Sequence, residues 1–362
     1  MENSTLKPLP TPKDFKMSFN GSTSEYFKIW IVNIALTVLT LGLYLPWAKV
    51  RTRRYFYANT ELDEHRFDYL ADPKKMLKGY LIIYTAIILY ILGINQIIHP
   101  AIGIVIIITL ILSAPFLIAA SLRFRLYNTS YRNVRFSFAG TTGDAYSVYW
   151  GYGFLTNITL GIMYPILKLK IFEYVFDNSS IGKSHFNYQG KGRPMYNIYL
   201  GVFLMGLAFF AVAVVSGVVL AAFEDTTGGE TESVSAVPLV MMGIIYFFYI
   251  VIFAIATGYV KAKTLCYNLS VLSIGYDKDI TFNSDLSTSK FAWLTFTNVF
   301  ATIFSAGLLS PWAKIRASKM YFSSITVSST KGDIGTHEAL SESDRSATGE
   351  AAVDAMEFDV GF

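Results

Sequence analysis

Residues 40–54 read TLGLYLPWAKVRTRR, and this arrangement recurs twice further along the chain. Residues 159–170 read TLGIMYPILKLK, and residues 306–319 read AGLLSPWAKIRASK. The copies align without a gap, at shifts of 119 (161 − 42) and 265 (307 − 42) residues. Each has an apolar run, a helix break and a series of cations, and the break residues are Gly42, Pro46, Gly161, Pro165, Gly307 and Pro311. The sequence therefore predicts repeated copies of one structural unit.

The repetition extends beyond this motif. Phe19 aligns with Phe138, and Tyr55 aligns with Tyr174. Alternating apolar and polar residues precede each apolar run, which is typical of a strand. The expected unit is a strand, a helix, a Gly/Pro break, a basic helix and a second strand, and the third copy is shortened.

The composition indicates an integral membrane protein. Apolar residues make up 53% of the chain and charged residues only 15%, with a mean hydropathy of +0.42. An ordinary soluble domain carries about 25% charged residues. The single cysteine excludes an intramolecular disulfide.

Two pairs of long apolar runs lie between the repeats, at 79–98 with 101–121 and at 197–222 with 237–260. Each run is close to the ~20 residues that span a bilayer. The expected fold class is an α-helical integral membrane protein with three repeats and two transmembrane helical hairpins. The expected segments are a disordered lead (1–14), repeat 1 (15–70), a transmembrane hairpin (79–121), repeat 2 (131–190), a second hairpin (197–260), repeat 3 (276–327) and an acidic tail (328–362).

The distribution of cations predicts a topology, because Lys and Arg are retained on the cytoplasmic side. If each repeat crossed the membrane once, seven spans would place the basic loop 49–78 on the same side as the acidic loop 223–236. If each repeat instead enters and returns on one side, every basic segment is cytoplasmic. Four spans with three re-entrant hairpins and both termini in the cytoplasm are therefore favoured, and seven spans remain the alternative.

The pattern FxG, EYFxIWxxN and TLGxYxPWAKVRxRRYFYxNT resembles the bacterial inner-membrane family of unknown function typified by YjgN. The resemblance covers nearly the whole chain, and the middle copy departs from it where Ile166 and Leu167 replace Trp and Ala. It implies a location in the bacterial inner membrane. It implies no substrate, cofactor or catalytic residue.

Cations and tryptophans next to each break form a candidate binding site for an anionic lipid headgroup or solute. Cations near an anionic leaflet gain roughly 1 kcal/mol each. The alternative is that they only set orientation and lie in the interface belt. These residues are Lys49, Arg51, Lys168, Lys170, Lys314, Arg316, Trp47 and Trp312.

Asn33 and Asn298 occupy one aligned position inside apolar runs. A polar side chain at membrane depth costs free energy unless it is paired. An interhelical hydrogen bond is favoured, and a cavity or pore lining is the alternative.

The sequence contains no catalytic motif, metal-ligand spacing or nucleotide fingerprint. No enzyme activity, cofactor, metal or nucleic-acid partner is expected, and membrane lipid is the expected partner. Internal repeats and broken helices favour a transport-like or channel-like role. The alternative is a membrane scaffold or anionic-lipid-binding module that presents cytoplasmic elements to a partner, and a lipid-acting enzyme ranks last.

Overall fold

The computed structural model describes residues 12–226, 236–275 and 278–330. The strands are β1 (Lys13–Phe19), β2 (Thr60–Leu62), β3 (His65–Tyr69), β4 (Thr129–Tyr131), β5 (Val134–Phe138), β6 (Ser179–Ile181), β7 (Ser184–Tyr188), β8 (Leu272–Ile274), β9 (Ile280–Ser284) and β10 (Ile325–Ser329). The α-helices are α1 (Thr23–Leu39), α2 (Leu45–Ala58), α3 (Pro73–Ile94), α4 (Pro100–Tyr127), α5 (Thr142–Ala145), α6 (Gly153–Ile158), α7 (Tyr164–Asp177), α8 (Gly192–Thr226), α9 (Ala236–Val271), α10 (Thr288–Phe304) and α11 (Ser310–Ser323). A π-helical segment (Tyr146–Tyr152) joins α5 to α6.

The ten strands form one closed antiparallel barrel. Each strand pairs with its neighbours in sequence, and β10 pairs with β1, with Lys13 opposite Ser329. Closure removes the exposed strand edges that would otherwise pair with another chain. It also joins the first and the last described elements of the protein.

Successive links between the strands lie at opposite ends of the barrel, because neighbouring strands are antiparallel. The links β2–β3 and β4–β5 are two-residue turns, Asp63-Glu64 and Arg132-Asn133, with positive φ at both positions, as a type I′ hairpin requires. The links at the other end are helix pairs: α1/α2, α3/α4, α5–α6/α7, α8/α9 and α10/α11. All five helix pairs of the described chain therefore leave the same end of the barrel.

Apolar side chains from all ten strands fill the barrel interior. Phe186 lies between Phe136 and Phe282, with ring centroids 6.4 Å apart on each side. The remaining members are Phe15, Met17, Leu62, Phe67, Tyr131, Val134, Ile181, Ile274, Ile280 and Val327. The interior is a packed core, as in other small barrels whose lumen is filled by side chains.

Four strands enter their helix pairs through an aromatic residue followed, two positions later, by glycine or alanine. Phe19 precedes Gly21 in this way, and Phe138 precedes Gly140. A Cβ at Gly140 would lie 2.4 Å from Phe138 Cζ, so the ring requires a small residue there. Tyr69 with Ala71 and Tyr188 with Gly190 repeat the arrangement.

The helix pairs form a ring over this end of the barrel. α2 packs on α3, α4 on α5, α7 on α8, α9 on α10, and α11 on α1. A buried apolar cluster fills each of these five interfaces. Four helical segments within the described residues are long and apolar enough to cross a membrane: Pro73–Ile94, Pro100–Tyr127, Gly192–Val218 and Gly243–Val271.

The predicted fold class, an α-helical integral membrane protein of three repeats and two separate hairpins, is wrong. The closed ten-stranded barrel overturns it. The strands β2, β4, β6 and β8 have three residues each, too few to show the alternation by which a strand is recognised. The sequence prediction therefore missed the sheet that organises every helix.

All five helix pairs of the described chain, those assigned to repeats and those assigned to hairpins, occupy the same place between two paired strands. Just after the strand that leads into each helix pair, a backbone N–H donates to the carbonyl oxygen of the last residue before the next strand. The five bonds join Asn20 to Asn59, Leu70 to Asn128, Ala139 to Asn178, Gln189 to Val271 and Asp285 to Ser324. The helix pairs can be aligned on the acceptor residues of these bonds. Pro46 then aligns with Pro115, Pro165, Gly258 and Pro311, because each lies the same number of residues before its acceptor.

The predicted ends of the chain are only partly within the described structure. Lys13 and Asp14, assigned to the disordered lead, belong to β1, and Ser328 and Ser329, assigned to the tail, belong to β10. The rest of the acidic tail, most of the lead and residues 227–235 lie outside the described residues.

Candidate functional site

The three quoted segments form the turns and second helices of the first, third and fifth helix pairs. Gly42, Gly161 and Gly307 have φ of 91°, 90° and 89°, and each follows a residue with φ near 50°. The N–H of Gly42 donates to Thr37 O, and equivalent bonds, six residues to one, form in the other two turns. Pro46, Pro165 and Pro311 then lie in the first turn of the second helix, where a missing N–H is harmless.

Asn33 and Asn298 join the two helices of their own pair. Asn33 Nδ2 lies 3.2 Å from Ala48 O, and Asn298 Nδ2 lies 3.0 Å from Ala313 O. Both side chains are buried. Each asparagine thus satisfies a carbonyl of the facing helix. Asn298 also lines a pocket between α9, α10 and α11.

The strand register places cations in four second helices, one more than the sequence comparison identified. Lys261 and Lys263 of α9 align with Lys49 and Arg51 of α2. The signal was present, since YVKAK (259–263) matches WAKVR (47–51) in its aromatic and charged positions. It was missed because α9 is continuous and has Gly258 in place of the proline.

Each cation pair flanks one buried residue, which faces the neighbouring helix pair. Val50 packs with Tyr80 of α3, and Ile315 packs with Tyr26 of α1. Successive residues on an α-helix are about 100° apart, so the two cations point to opposite sides of the direction in which the central residue faces. One cation therefore faces the inside of the ring of helix pairs and the other faces the outside. The central residues are Val50, Leu169, Ala262 and Ile315, and the equivalent residue of α4, Ala119, is also buried.

The lysine of each pair lies on the side facing the barrel axis. Lys49 and Phe56 are seven residues apart and so share a face of α2. Phe56 stacks on Phe19 at 5.6 Å, and Phe19 lies on the same face of β1 as the core residue Phe15. We call Lys49, Lys168, Lys261 and Lys314 the inner lysines, and Arg51, Lys170, Lys263 and Arg316 the outer cations.

The outer cations contact polar and aromatic groups close to the helix surface. The Arg316 guanidinium donates to Thr297 Oγ1 at 2.7 Å and to Asn298 Oδ1 at 3.2 Å, and lies 5.1 Å from the centre of the Trp312 ring. Lys170 Nζ donates to Glu173 Oε2 at 2.8 Å, which raises the pKa of the Lys170 ammonium above its ordinary value. Arg51 is exposed to solvent.

The cations and tryptophans predicted to form a binding site next to the breaks are not brought together as one contiguous site. Lys49 Nζ lies 5.8 Å from the centre of the Tyr80 ring, and Lys168 Nζ lies 5.6 Å from that of Tyr164. The first and fifth helix pairs are neighbours, whereas the long second and fourth pairs separate both from the third. Trp47 stacks on Tyr44 at 6.0 Å.

The described residues contain no group of three or more His, Cys, Asp or Glu that could hold a metal ion.

Comparison with known proteins identifies the family. Residues 14–355 match the family described as "Bacterial protein of unknown function (DUF898)". The chain belongs to this family. It is 27% identical over 339 residues to the inner membrane protein YjgN of Salmonella typhimurium, covering 82% of this chain and 84% of the relative. It is 26% identical over 343 residues to YjgN of Escherichia coli O157:H7, with the same coverage.

These relatives confirm the resemblance found in the sequence. They are named inner membrane proteins, and four described helices are long and apolar enough to span a membrane. The protein is therefore a membrane protein from a family of unknown function. No solved structure matches the chain.

Proposed function

We propose that this protein is a multi-pass protein of the bacterial inner membrane that binds anionic lipid headgroups through its outer cations. The observation that supports the proposal is the recurrence of an outer cation at one register in four helix pairs. In three pairs an aromatic residue lies one helical turn earlier: Trp47 before Arg51, Tyr259 before Lys263, and Trp312 before Arg316.

This combination of residues fits the boundary between lipid and water. Trp and Tyr concentrate at that boundary, and Lys and Arg beside it reach the headgroups. Beyond the cations the helices expose large apolar side chains; Leu41 at the first turn is 92% exposed and Phe304 before the last turn is 81% exposed. The outer cations thus lie between an apolar surface and the barrel, at the level where anionic headgroups would lie.

The same arrangement supports a cytoplasmic barrel with both ends of the described chain on that side. The first and last strands pair with each other, and all five helix pairs leave the opposite face of the barrel from the β-turns. The cations of each pair lie eleven and nine residues before the strand that follows their helix. Because cationic segments stay in the cytoplasm, the barrel is assigned to that side and the α3–α4 link to the other.

Cysteine labelling tests this topology. In a Cys266→Ala background, His99→Cys in the exposed α3–α4 link should react with a membrane-impermeant thiol reagent in intact cells. Glu64→Cys, in the exposed β2–β3 turn, should react only after the membrane is permeabilised. The reverse pattern, or labelling of both positions in intact cells, would contradict a cytoplasmic barrel.

Neutralising outer cations tests lipid binding. The triple variant Arg51→Gln, Lys170→Gln and Arg316→Gln should bind phosphatidylglycerol about fivefold more weakly at each neutralised position after purification in a neutral detergent, since each cation contributes roughly 1 kcal/mol. Native mass spectrometry of the bound lipid measures the retention. Adding salt should reduce binding to the unmodified protein, because exposed charges are screened.

The matched control removes the same number of charges from the opposite face. The variant Lys49→Gln, Lys168→Gln and Lys314→Gln changes three inner lysines of the same helices and should keep its phosphatidylglycerol. Thermal unfolding of both variants separates lipid loss from misfolding, because Arg316 also holds Thr297 and Asn298. Equal lipid retention by the two variants would refute a specific role of the outer cations.

The transport-like or channel-like role expected from the sequence stays a prediction. Side chains fill the barrel interior, so the barrel axis shows no passage that would support such a role. The lipid-binding alternative has the support of the outer cations, and the barrel is the surface that such a module would offer to a cytoplasmic partner.

A further inference from the structure

A pocket of about 330 Å³ lies between α9, α10 and α11, and nothing in the proposed lipid-headgroup role uses it. Its wall includes Lys261 from α9, Asn298, Val299, Thr302 and Ile303 from α10, and Ala317 from α11. This volume falls at the lower end of the range for small-molecule sites, ~300–1,000 Å³. The pocket therefore suits one small ligand.

The pocket lies on the inner face of α10. Trp293 and Phe304, exposed over 62% and 81% of their surface, lie about half a helical turn away from Asn298 and Thr302 on the same helix. Lys261 is an inner lysine, and seven residues after it Asn268 accepts a hydrogen bond from Tyr188 at the barrel mouth. The pocket thus faces the space enclosed by the helix ring.

The charged group lies at one end of this pocket. Gly258, one turn before Lys261, touches the barrel-proximal part of α10, because a Cβ there would lie 2.6 Å from Ala292 Cα. α9 runs toward the barrel, so Lys261 lies nearer the barrel than Gly258 does. Val299 and Ile303 line the far end, toward the turn of the helix pair.

Among the described residues that line the pocket, Lys261 is the one cation. Asn298 is already occupied, since its Nδ2 donates to Ala313 O and its Oδ1 accepts from Arg316. Lys261 makes no hydrogen bond or ion pair with any other described residue. The wall contains no carboxylate. The site offers one positive charge at one end and a mostly apolar surface beyond it.

We infer that the pocket binds a fatty-acid carboxylate, with its head at Lys261 and its chain along α10 toward Ile303. If each heavy atom takes up to ~30 Å³, about the share of a water molecule in the liquid, the pocket holds roughly eleven of them, close to the twelve heavy atoms of decanoate. Decanoate is the matching probe. Charge and chain both contribute, because an uncharged alcohol makes no ion pair with the exposed Lys261 and a bare anion buries none of the apolar wall.

Protection of Lys261 from an amine-reactive ester tests this site on the full chain in a neutral detergent. Saturating decanoate should slow modification of Lys261 by about tenfold, as expected when most sites are occupied. Lys263, an exposed outer cation two residues later, should react at an unchanged rate. Decanol and inorganic phosphate at the same concentration should protect Lys261 far less. Peptide mass spectrometry measures the modification rates of Lys261 and Lys263 in the same sample.

Two variants complete the test. Lys261→Gln should lose the decanoate adduct seen by native mass spectrometry, while Lys263→Gln should keep it. Ala317→Phe, which fills the pocket and leaves the lysine in place, should abolish protection of Lys261. Equal protection of Lys261 and Lys263, protection by phosphate as strong as by decanoate, or full protection in Ala317→Phe would each overturn the assignment. The variants Lys261→Gln and Ala317→Phe leave Arg51, Lys170 and Arg316 unchanged, so loss of phosphatidylglycerol from the outer-cation variant is scored separately.

Discussion

Replacing Val327 with aspartate is expected to destabilise the closed barrel and to lower the melting temperature of the protein strongly. Val327 is 1% exposed and packs in the barrel core with Phe15 and Ile280. A buried carboxylate without a partner costs roughly 3–5 kcal/mol, against a typical total stability of about 5–15 kcal/mol. β10 also closes the barrel onto β1, so a defect here opens both seams of that strand.

The control for this variant is one residue away on the same strand. Thr326 lies on the other face of β10, opposite the exposed Lys16 of β1. Thr326→Asp should therefore unfold near the temperature of the unmodified protein, because opposite charges on paired strands attract weakly. Fluorescence-detected melting in detergent and trypsin sensitivity measure both variants. A melting temperature of Val327→Asp equal to that of Thr326→Asp would show that this strand does not close a packed barrel.

Sequence patterns predicted several of the longer strands, although not β10, and the turns of three helix pairs. The segments 15–19 and 134–138 alternate clearly and form most of β1 and all of β5. The break at Gly42 and Pro46 separates α1 from α2. These features depend on neighbouring residues only, which is why a local pattern was sufficient to find them.

Closure of the barrel could not be predicted in this way. The pairing of Lys13 with Ser329 joins residues at opposite ends of the chain, and no local pattern records it. The second helix pair was set apart because Pro115 lies inside the continuous helix α4 and not after a turn. Only the strand register shows that Pro115 and Pro46 occupy equivalent positions.

The candidate site was incomplete for the same reason. Lys261 and Lys263 carry the same spacing as Lys49 and Arg51, but they lie inside a helix of 36 residues that reads as a membrane span. The division of each pair into an inner and an outer charge required the packing of Phe56 on Phe19. Side-chain direction relative to a barrel axis is not encoded in spacing alone.

Replacing Gly258 with leucine is expected to separate α9 from α10 and to lower the melting temperature substantially. A Cβ at this position would lie 2.6 Å from Ala292 Cα and 2.7 Å from Thr295 Oγ1. Ala254 and Ala262, one turn before and one turn after it, are fully buried. Small residues at this spacing let two helix backbones approach closely in a membrane. Overpacking such a contact costs about 1–3 kcal/mol, and the backbone of Ala292 cannot rotate away as a side chain could.

The matched control for this prediction lies on the preceding helix. A Cβ at Gly206 of α8 would have no atom within 4 Å, so Gly206→Leu should be neutral or slightly stabilising, since leucine favours a helix over glycine. Gly258→Ala should fall between the two leucine variants. Because Gly258 lies one turn from Lys261, separation of the helices also enlarges the pocket, and decanoate should then protect Lys261 less in Gly258→Leu than in Gly206→Leu. Equal melting temperatures for the two leucine variants would mean that α9 and α10 are not in contact at this glycine, and the pocket would lose its wall.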